Sequence, residues 1–268
     1  MLKLGTTLPQ FRADAERVVA AAREAEALGL DGVFVFDHLW PIGNPDGEIL
    51  HSFPLLGALA AETERVHLGP LVARVGLLPD AVLVNALVSV AHVAGPRLIA
   101  GLGSGDSLSK PENEAFGVPF ESVAVRLARV AECCRRLAAH DVPTWVGGRS
   151  GGLRQVAAET ADALNLWGAS PGALEEAAAD VRRRAGDRRI AVTWAGQVLI
   201  GRDHADLQAR LERHGRRPGL VQGTVEEVAA YLGKLARAGA SWAVCAPVDI
   251  HDDPTALETL AEVRKLLT

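Results

Sequence analysis

Two hydrophobic patterns alternate along the chain. In the first, apolar residues recur at spacings of three and four, as in Ala15, Val18, Val19, Ala22 and Ala25, in Leu127, Val130, Ala131, Cys134 and Leu137, and in Val225, Val228, Ala229, Leu232, Leu235 and Ala236. Those spacings place each set on one face of a helix. The last set opens with Thr224 and Glu227, the separation at which each side chain satisfies an orphan backbone N–H of the first turn. In the second pattern, short runs rich in Val, Ile and Leu cover 2–8, 32–36, 66–75, 97–102, 142–146, 163–167, 190–200 and 241–246. They lack strict alternation, as expected of strands buried on both faces. Helical segments predicted near 13–28, 52–63, 80–94, 121–139, 152–161, 171–185, 224–238 and 255–267 separate them. Eight strand–helix units in strict alternation predict a closed parallel (β/α)8 TIM barrel, α/β in class, rather than a doubly wound sheet. An extra segment at 204–214 interrupts the seventh unit.

The length of 268 residues suits one such barrel, which needs roughly 250, so a single domain over 1–268 is expected. With 49% hydrophobic and 23% charged residues, disordered, collagen-like and disulfide-scaffold classes drop out. The net charge is −5 and the basic residues are scattered, which disfavours a nucleic-acid partner. The longest stretch without Asp, Glu, Lys or Arg, 81–96, is 16 residues, short of the ~20 a membrane helix needs. The opening MLKLGTTLPQF has no long apolar signal region, so a cytoplasmic location is expected. Cys133, Cys134 and Cys245 have no ligand or disulfide spacing and read as small buried hydrophobes. No metal-binding or serine-nucleophile motif is present, so no metal site is expected. RRRAGDRR at 182–189 reads as a solvated helix end whose cations oppose the helix dipole.

In a parallel barrel the active site lies at the C-terminal ends of the strands. Polar residues just past the apolar runs are Asp37 and His38, Arg74, the Gly103–Asp106 turn, the Gly147–Gly152 loop, and Asp249 with His251. A histidine at a strand end is a candidate proton donor or acceptor, and a solvated loop pair is the equal alternative for Asp37–His38. The glycine-rich GGRSGG leads into a helix, where backbone N–H groups and the helix dipole suit an anion, although a tight turn explains it as well. His67 and His92 sit in apolar surroundings and read as core or interface residues.

The blocks AEALGLDGVFVFDH (25–38), TERVHLGPLV (63–72), RLIAGLGSGDS (97–107), ENEAFGVPF (112–120), PTWVGGRSGGLRQVAAETADALNLW (143–167) and GTVEEVAAYLGKLARAGA (223–240) follow in order over nearly the whole chain. They resemble the luciferase-like monooxygenase superfamily, in particular its branch that uses the deazaflavin coenzyme F420. The resemblance implies a luciferase-like TIM barrel, cofactor at the C-terminal rim and hydride transfer at the deazaflavin C5. It implies His38 against the reacting centre, assisting proton transfer, with its neighbour Asp37 contacting the ring system. Leu71–Val72 falls where such proteins often have a non-prolyl cis peptide that bulges behind the ring. Ser104, Gly105 and Ser109 match the loop near the cofactor tail, and Gly147, Gly148, Ser150 and Gly151 match the phosphate-binding turn. Arg149, with Arg154, is placed to line a basic path for the acidic tail of F420. A homodimer is also implied, with helices 80–94 and 121–139 as candidate contacts.

Three departures from the family pattern bear on the substrate. Asp106, the second catalytic candidate, stands where sugar-phosphate-oxidising members have a glutamate. The aromatic expected beyond the histidine is represented by Trp40 at a shifted spacing, and the chain is short for the family. The leading expectation is an F420-dependent oxidoreductase acting on a small organic substrate, by alcohol oxidation or by C=C or C=N reduction. The alternatives are an FMN-dependent monooxygenase and a non-catalytic flavin-binding barrel. Arg74, Trp145 and Trp167 read equally well as rim contacts and as packing residues.

Overall fold

The computed structural model describes residues 1–267. The first half of the chain runs β1 (Lys3–Thr7), α1 (Ala15–Ala27), β2 (Gly32–Val35), α2 (Ser52–Glu62), β3 (His67–Pro70), β4 (Ala73–Arg74), α3 (Asp80–Ala94), β5 (Ala100–Gly103), α4 (Lys110–Ala115) and α5 (Val123–Ala138). It continues with β6 (Thr144–Gly147), α6 (Gly151–Thr160), β7 (Ala163–Trp167), α7 (Pro171–Ala185), β8 (Ala191–Gly201), α8 (His204–His214), β9 (Val221–Thr224), α9 (Val225–Arg237), β10 (Ala240–Pro247) and α10 (Ala256–Leu266). Every strand pairing is parallel, in the order β3-β2-β1-β10-β8-β7-β6-β5-β4. A bridge between Leu68 of β3 and Leu98, just before β5, closes the barrel. Each of the eight apolar runs overlaps a barrel strand, and each predicted helix is present. Among the described residues no helix is long and apolar enough to cross a membrane.

The helices begin where the sequence supplies caps. Ser122, Ser150 and Ser170 accept the N–H three residues on, and Thr224 and Glu227 form the reciprocal capping box expected of them. Their apolar faces bury against the outer side of the strands in one continuous core.

A second, smaller core fills the barrel itself. Phe34 stacks on Trp145 with ring centroids 5.5 Å apart, and Trp242 meets both rings edge-on at 6.1 and 5.5 Å. Leu71, Ile99, Ala163, Ala195 and Val244 complete it. A Cβ added at Gly32 would lie 3.0 Å from both the Phe34 and the Trp242 rings. The interior thus trades side chains on some strands for large aromatics on others, which is how a chain with 4% aromatic residues fills a barrel. Trp145, left open by the sequence, is a packing residue here. The three cysteines are buried, and burial pushes the thiols of Cys133 and Cys134 up to about 12 and about 11.

The segment that interrupts the seventh unit is α8 followed by β9, which pairs with the C-terminal end of β8. Arg210 fastens α8. Its buried guanidinium contacts Asp206 at 3.0 Å, Asp249 at 2.6 Å, Asp253 at 3.0 Å and the Thr255 hydroxyl at 2.9 Å. Asp249, marked by the sequence as a rim residue, therefore ties α8 to the loop after β10. Burial raises its carboxyl pKa while Arg210 opposes the rise. Truncating one partner of a buried charge pair leaves the other uncompensated, so Arg210→Leu is expected to destabilise the fold by about 3–5 kcal/mol in urea unfolding. An effect below about 1 kcal/mol would show that the cluster is a surface-like pair.

Candidate functional site

The C-terminal ends of β2, β3 and β5 bring the site together. Leu71 donates its N–H to the Val35 carbonyl at 2.8 Å, so the segment after β3 lies beside the segment after β2. The Leu71–Val72 peptide is cis, as the resemblance implied. Val72 is half-buried, and its methyls sit over two glycines: a Cβ on Gly147 would approach Cγ1 to 2.7 Å, and one on Gly103 would collide with Cγ2. Glycine at both positions lets the Val72 bulge rest against β5 and β6.

Asp37 and His38 diverge, as adjacent residues leaving a strand do. Asp37 is buried. Its Oδ1 accepts the Ser52 hydroxyl at 2.6 Å and its Oδ2 accepts the Arg74 backbone N–H at 2.9 Å. His38 keeps 27% of its side-chain surface exposed and turns its Nδ1 to Glu112 Oε2 at 3.0 Å. Glu112, 1% exposed, lies on α4. Its Oε1 accepts the backbone N–H of Leu39 and, at 3.3 Å, that of Trp40, while its Oε2 also receives Nη2 of Arg74.

Arg74 is the hub. Its guanidinium is 5% exposed, pairs with Glu112, and donates to the Asn113 Oδ1 at 2.8 Å and the Ser109 carbonyl at 3.1 Å. Burial alone would raise the Glu112 carboxyl. The hydrogen bonds from His38 and Leu39 and the Arg74 charge outweigh it and hold the pKa at about 2. An ionised carboxylate only accepts, so Nδ1 of His38 carries a proton and a neutral ring has its lone pair on Nε2.

Gln10 braces the same strand end. It is fully buried, donating from Nε2 to the carbonyls of Phe36 and Leu50 at 2.8 Å each, and accepting the Phe36 N–H at 2.7 Å. Neither Gln10 nor Glu112 stands out in the sequence. Glu112 lies within the ENEAFGVPF block, but its partner is 74 positions away.

The remaining candidates spread along the rim. Asp106 is exposed, and its Oδ1 accepts from the N–H groups of Leu108 and Ser109 at 2.9 and 3.2 Å and from the Ser109 hydroxyl at 3.2 Å. Its carboxylate thus folds its own loop. Ser104 is buried, and its carbonyl accepts Nε of Arg126 at 2.8 Å, which anchors the loop to α5. Gly105 has φ +67°, a conformation that favours glycine, and packs against the Arg74 side chain. Gly147 ends β6, Gly148 follows it, and Ser150 caps α6, accepting from Leu153 at 3.2 Å. Arg149 is exposed beside that cap, whereas Arg154 reaches Asp180 at 3.4 Å. The first-turn N–H groups of Gly151 and Gly152 precede any intrahelical acceptor in α6. Aromatic residues two positions either side of His38 pair with rings from other loops: Trp40 lies 5.9 Å from Phe116, and Phe36 lies 5.9 Å from Trp167. His251 is half-buried after β10, and burial pushes its ring pKa below the usual imidazole value.

The profile of the luciferase-like monooxygenase family matches residues 3–264. An F420-dependent glucose-6-phosphate dehydrogenase from Beutenbergia cavernae is 36% identical over 156 residues, which are 56% of this chain and 43% of that protein. The matched region thus spans less than half of that relative's length. The fold is similar to that of an F420-dependent secondary alcohol dehydrogenase in complex with an F420-acetone adduct (TM-score 0.82, 14% identity, 100% of this chain and 99% of the other). It is equally similar to a riboflavin lyase with modified FMN and riboflavin (TM-score 0.81, 16% identity, 100% and 91%). At those identities the likeness is one of fold.

Glu112→Gln leaves the Arg74 charge buried without its counter-ion. The variant is expected to lose about 3–5 kcal/mol of stability at neutral pH. In the native chain the stabilisation from ionised Glu112 is complete above its ordinary pKa of 4.5 and is lost as pH falls towards about 2. Urea midpoints measured across that window should converge for the two proteins at the acid end; parallel curves would show that Glu112 does not carry this charge.

Proposed function

We propose that this chain, which belongs to the luciferase-like monooxygenase family, is an oxidoreductase that uses coenzyme F420 and exchanges a hydride with a small organic substrate. The observation that carries this reading is His38 just past the C-terminal end of β2, partly exposed and held through Nδ1 by the buried Glu112 carboxylate. The identity with an F420-dependent dehydrogenase supports the choice of cofactor.

The residues present fit a flat, acidic cofactor. Val72 offers a convex apolar floor, made possible by the absence of side chains at Gly103 and Gly147. The open first turn of α6 at Gly151 and Gly152, with Arg149 beside it, suits a phosphate and an anionic tail. Ser104, Gly105 and Ser109 follow β5, the strand paired with β6, and border the same part of the mouth. Leu71, Val72, Gly147, Gly148, Arg149, Ser150 and Gly151 are therefore the residues assigned to cofactor binding. Asp37 acts from behind, holding the Arg74 backbone.

When bound, the deazaflavin supplies a C5 position that accepts or returns a hydride. In alcohol oxidation, Nε2 of His38 takes the hydroxyl proton as the C–H electron pair leaves the carbon and the C=O bond forms. In the reverse direction the imidazolium returns that proton. Glu112 keeps Nδ1 protonated and steadies the cation that forms at His38. Asp106 is the second candidate for proton transfer, with its Oδ1 engaged by its own loop. Assembly as a homodimer belongs to the same proposal, with Val82 and Val93 exposed on α3.

Titration with F420 and separately with FMN, followed by cofactor fluorescence, tests the reading. F420 is expected to bind more tightly, and more weakly as salt rises because its tail is acidic. His38→Ala should keep F420 affinity and lose about 10²- to 10⁴-fold in turnover. Preference for FMN would place the chain among oxygen-using members, and binding of neither would remove the oxidoreductase assignment.

A further inference from the structure

The walls beside His38 carry an unusual combination of apolar exposure and negative charge. Trp40 and Phe116 form one face, with Phe116 54% exposed, and the same two loops expose Ile42 at 63% and Leu108 at 83%. Trp167, 40% exposed, faces Phe36 across the other side. Exposed apolar side chains of this kind on loops that adjoin a polar reacting group mark a place where a ligand is desolvated.

Charge on those loops runs one way. Residues 37–51 contain Asp37, Asp46 and Glu48 and no lysine or arginine. Residues 104–122 contain Asp106, Glu112, Glu114 and Glu121 against the single cation Lys110. Lys110 lies 3.5 Å from Glu114. Arg74 is buried and committed to Glu112, Asn113 and Ser109, and Arg126 donates to the Ser104 and Glu121 carbonyls and lies over the Phe120 ring. A phosphorylated substrate would have to place a dianion against apolar rings and acidic loops, where Lys110 faces Glu114 and the guanidinium groups of Arg74 and Arg126 are hydrogen-bonded within the protein. Taking a charge out of water without a partner is strongly unfavourable. The exposed Arg149 and the start of α6 do suit an anion, but that end is assigned above to the cofactor.

Resting on the oxidoreductase reading, we propose that the substrate is an uncharged, predominantly apolar alcohol, ketone or enone, with its skeleton against Trp40 and Phe116 and its oxygen at His38. The chain thus parts in substrate class from the sugar-phosphate dehydrogenase it resembles in sequence. Phe116 is the specificity-determining residue, being exposed and outside the buried His38–Glu112–Arg74 network.

Quenching of tryptophan fluorescence by cyclohex-2-enone, cyclohexanol and glucose 6-phosphate tests this on the whole chain, with and without F420. The enone and the alcohol are expected to bind about tenfold or more tightly than the sugar phosphate. Phe116→Ala should weaken enone binding about fivefold or more while leaving the melting temperature and F420 affinity unchanged. Glucose 6-phosphate binding as tightly as the neutral ligands, no binding of the neutral ligands at millimolar concentration, or a Phe116→Ala variant with native enone affinity would each overturn the proposal. Failure to bind F420 overturns the oxidoreductase assignment instead, and the comparison without cofactor still decides the charge preference of the mouth.

Discussion

The buried pair between Arg74 and Glu112 is the contact on which the mouth of the barrel depends. Each member alone would be an uncompensated charge in the interior, so neither can be removed without the other. Together they join segments that are distant in sequence: β4, the loop after β2 and the short helix α4. The pair earns its place as a fastener with directional bonds, since apolar packing would cover the same surface without fixing a ring nitrogen. Glu112 receives four protein donors, and one of them is His38. The catalytic candidate is thereby oriented by a group that never reaches the open mouth.

A second constraint shapes the floor. The Val72 bulge needs glycine at 103 and 147, and Gly69 is required in turn because a side chain there would collide with the Ile99 carbonyl. Backbone proximity between β3, β5 and β6 thus explains why glycines gather at these strand ends. The same residues that read in the sequence as phosphate-binding loops also serve close packing. The start of α6, whose first N–H groups lack intrahelical acceptors, suits an anion independently of that packing.

The barrel was legible because its signals are local. Eight apolar runs and eight helical faces are properties of short windows, and capping residues such as Ser150 and Thr224 mark their own helices. Short elements escaped the pattern: β4 is two residues long, and α4 is under two turns. The extra α8 and β9 registered only as an interruption. Within the site, His38 was legible from its position past a buried strand, and the Leu71–Val72 cis bond from resemblance. Glu112 and Gln10 were not, because their importance lies in partners 74 and 26 positions away. Strand alternation separates Asp37 from His38, so a pair adjacent in sequence does different work: one braces backbone and the other faces the mouth.

Nitrogen-15 NMR of the histidine rings, with the His38 signal assigned through a His38→Asn variant, measures directly what the Glu112 carboxylate does. At about pH 8, where an ordinary imidazole is neutral, His38 should carry its proton on Nδ1 and show the shift of a bare nitrogen at Nε2. A ring protonated on Nε2, or one exchanging freely between both tautomers, would contradict the buried ion pair as the feature that sets the reacting atom.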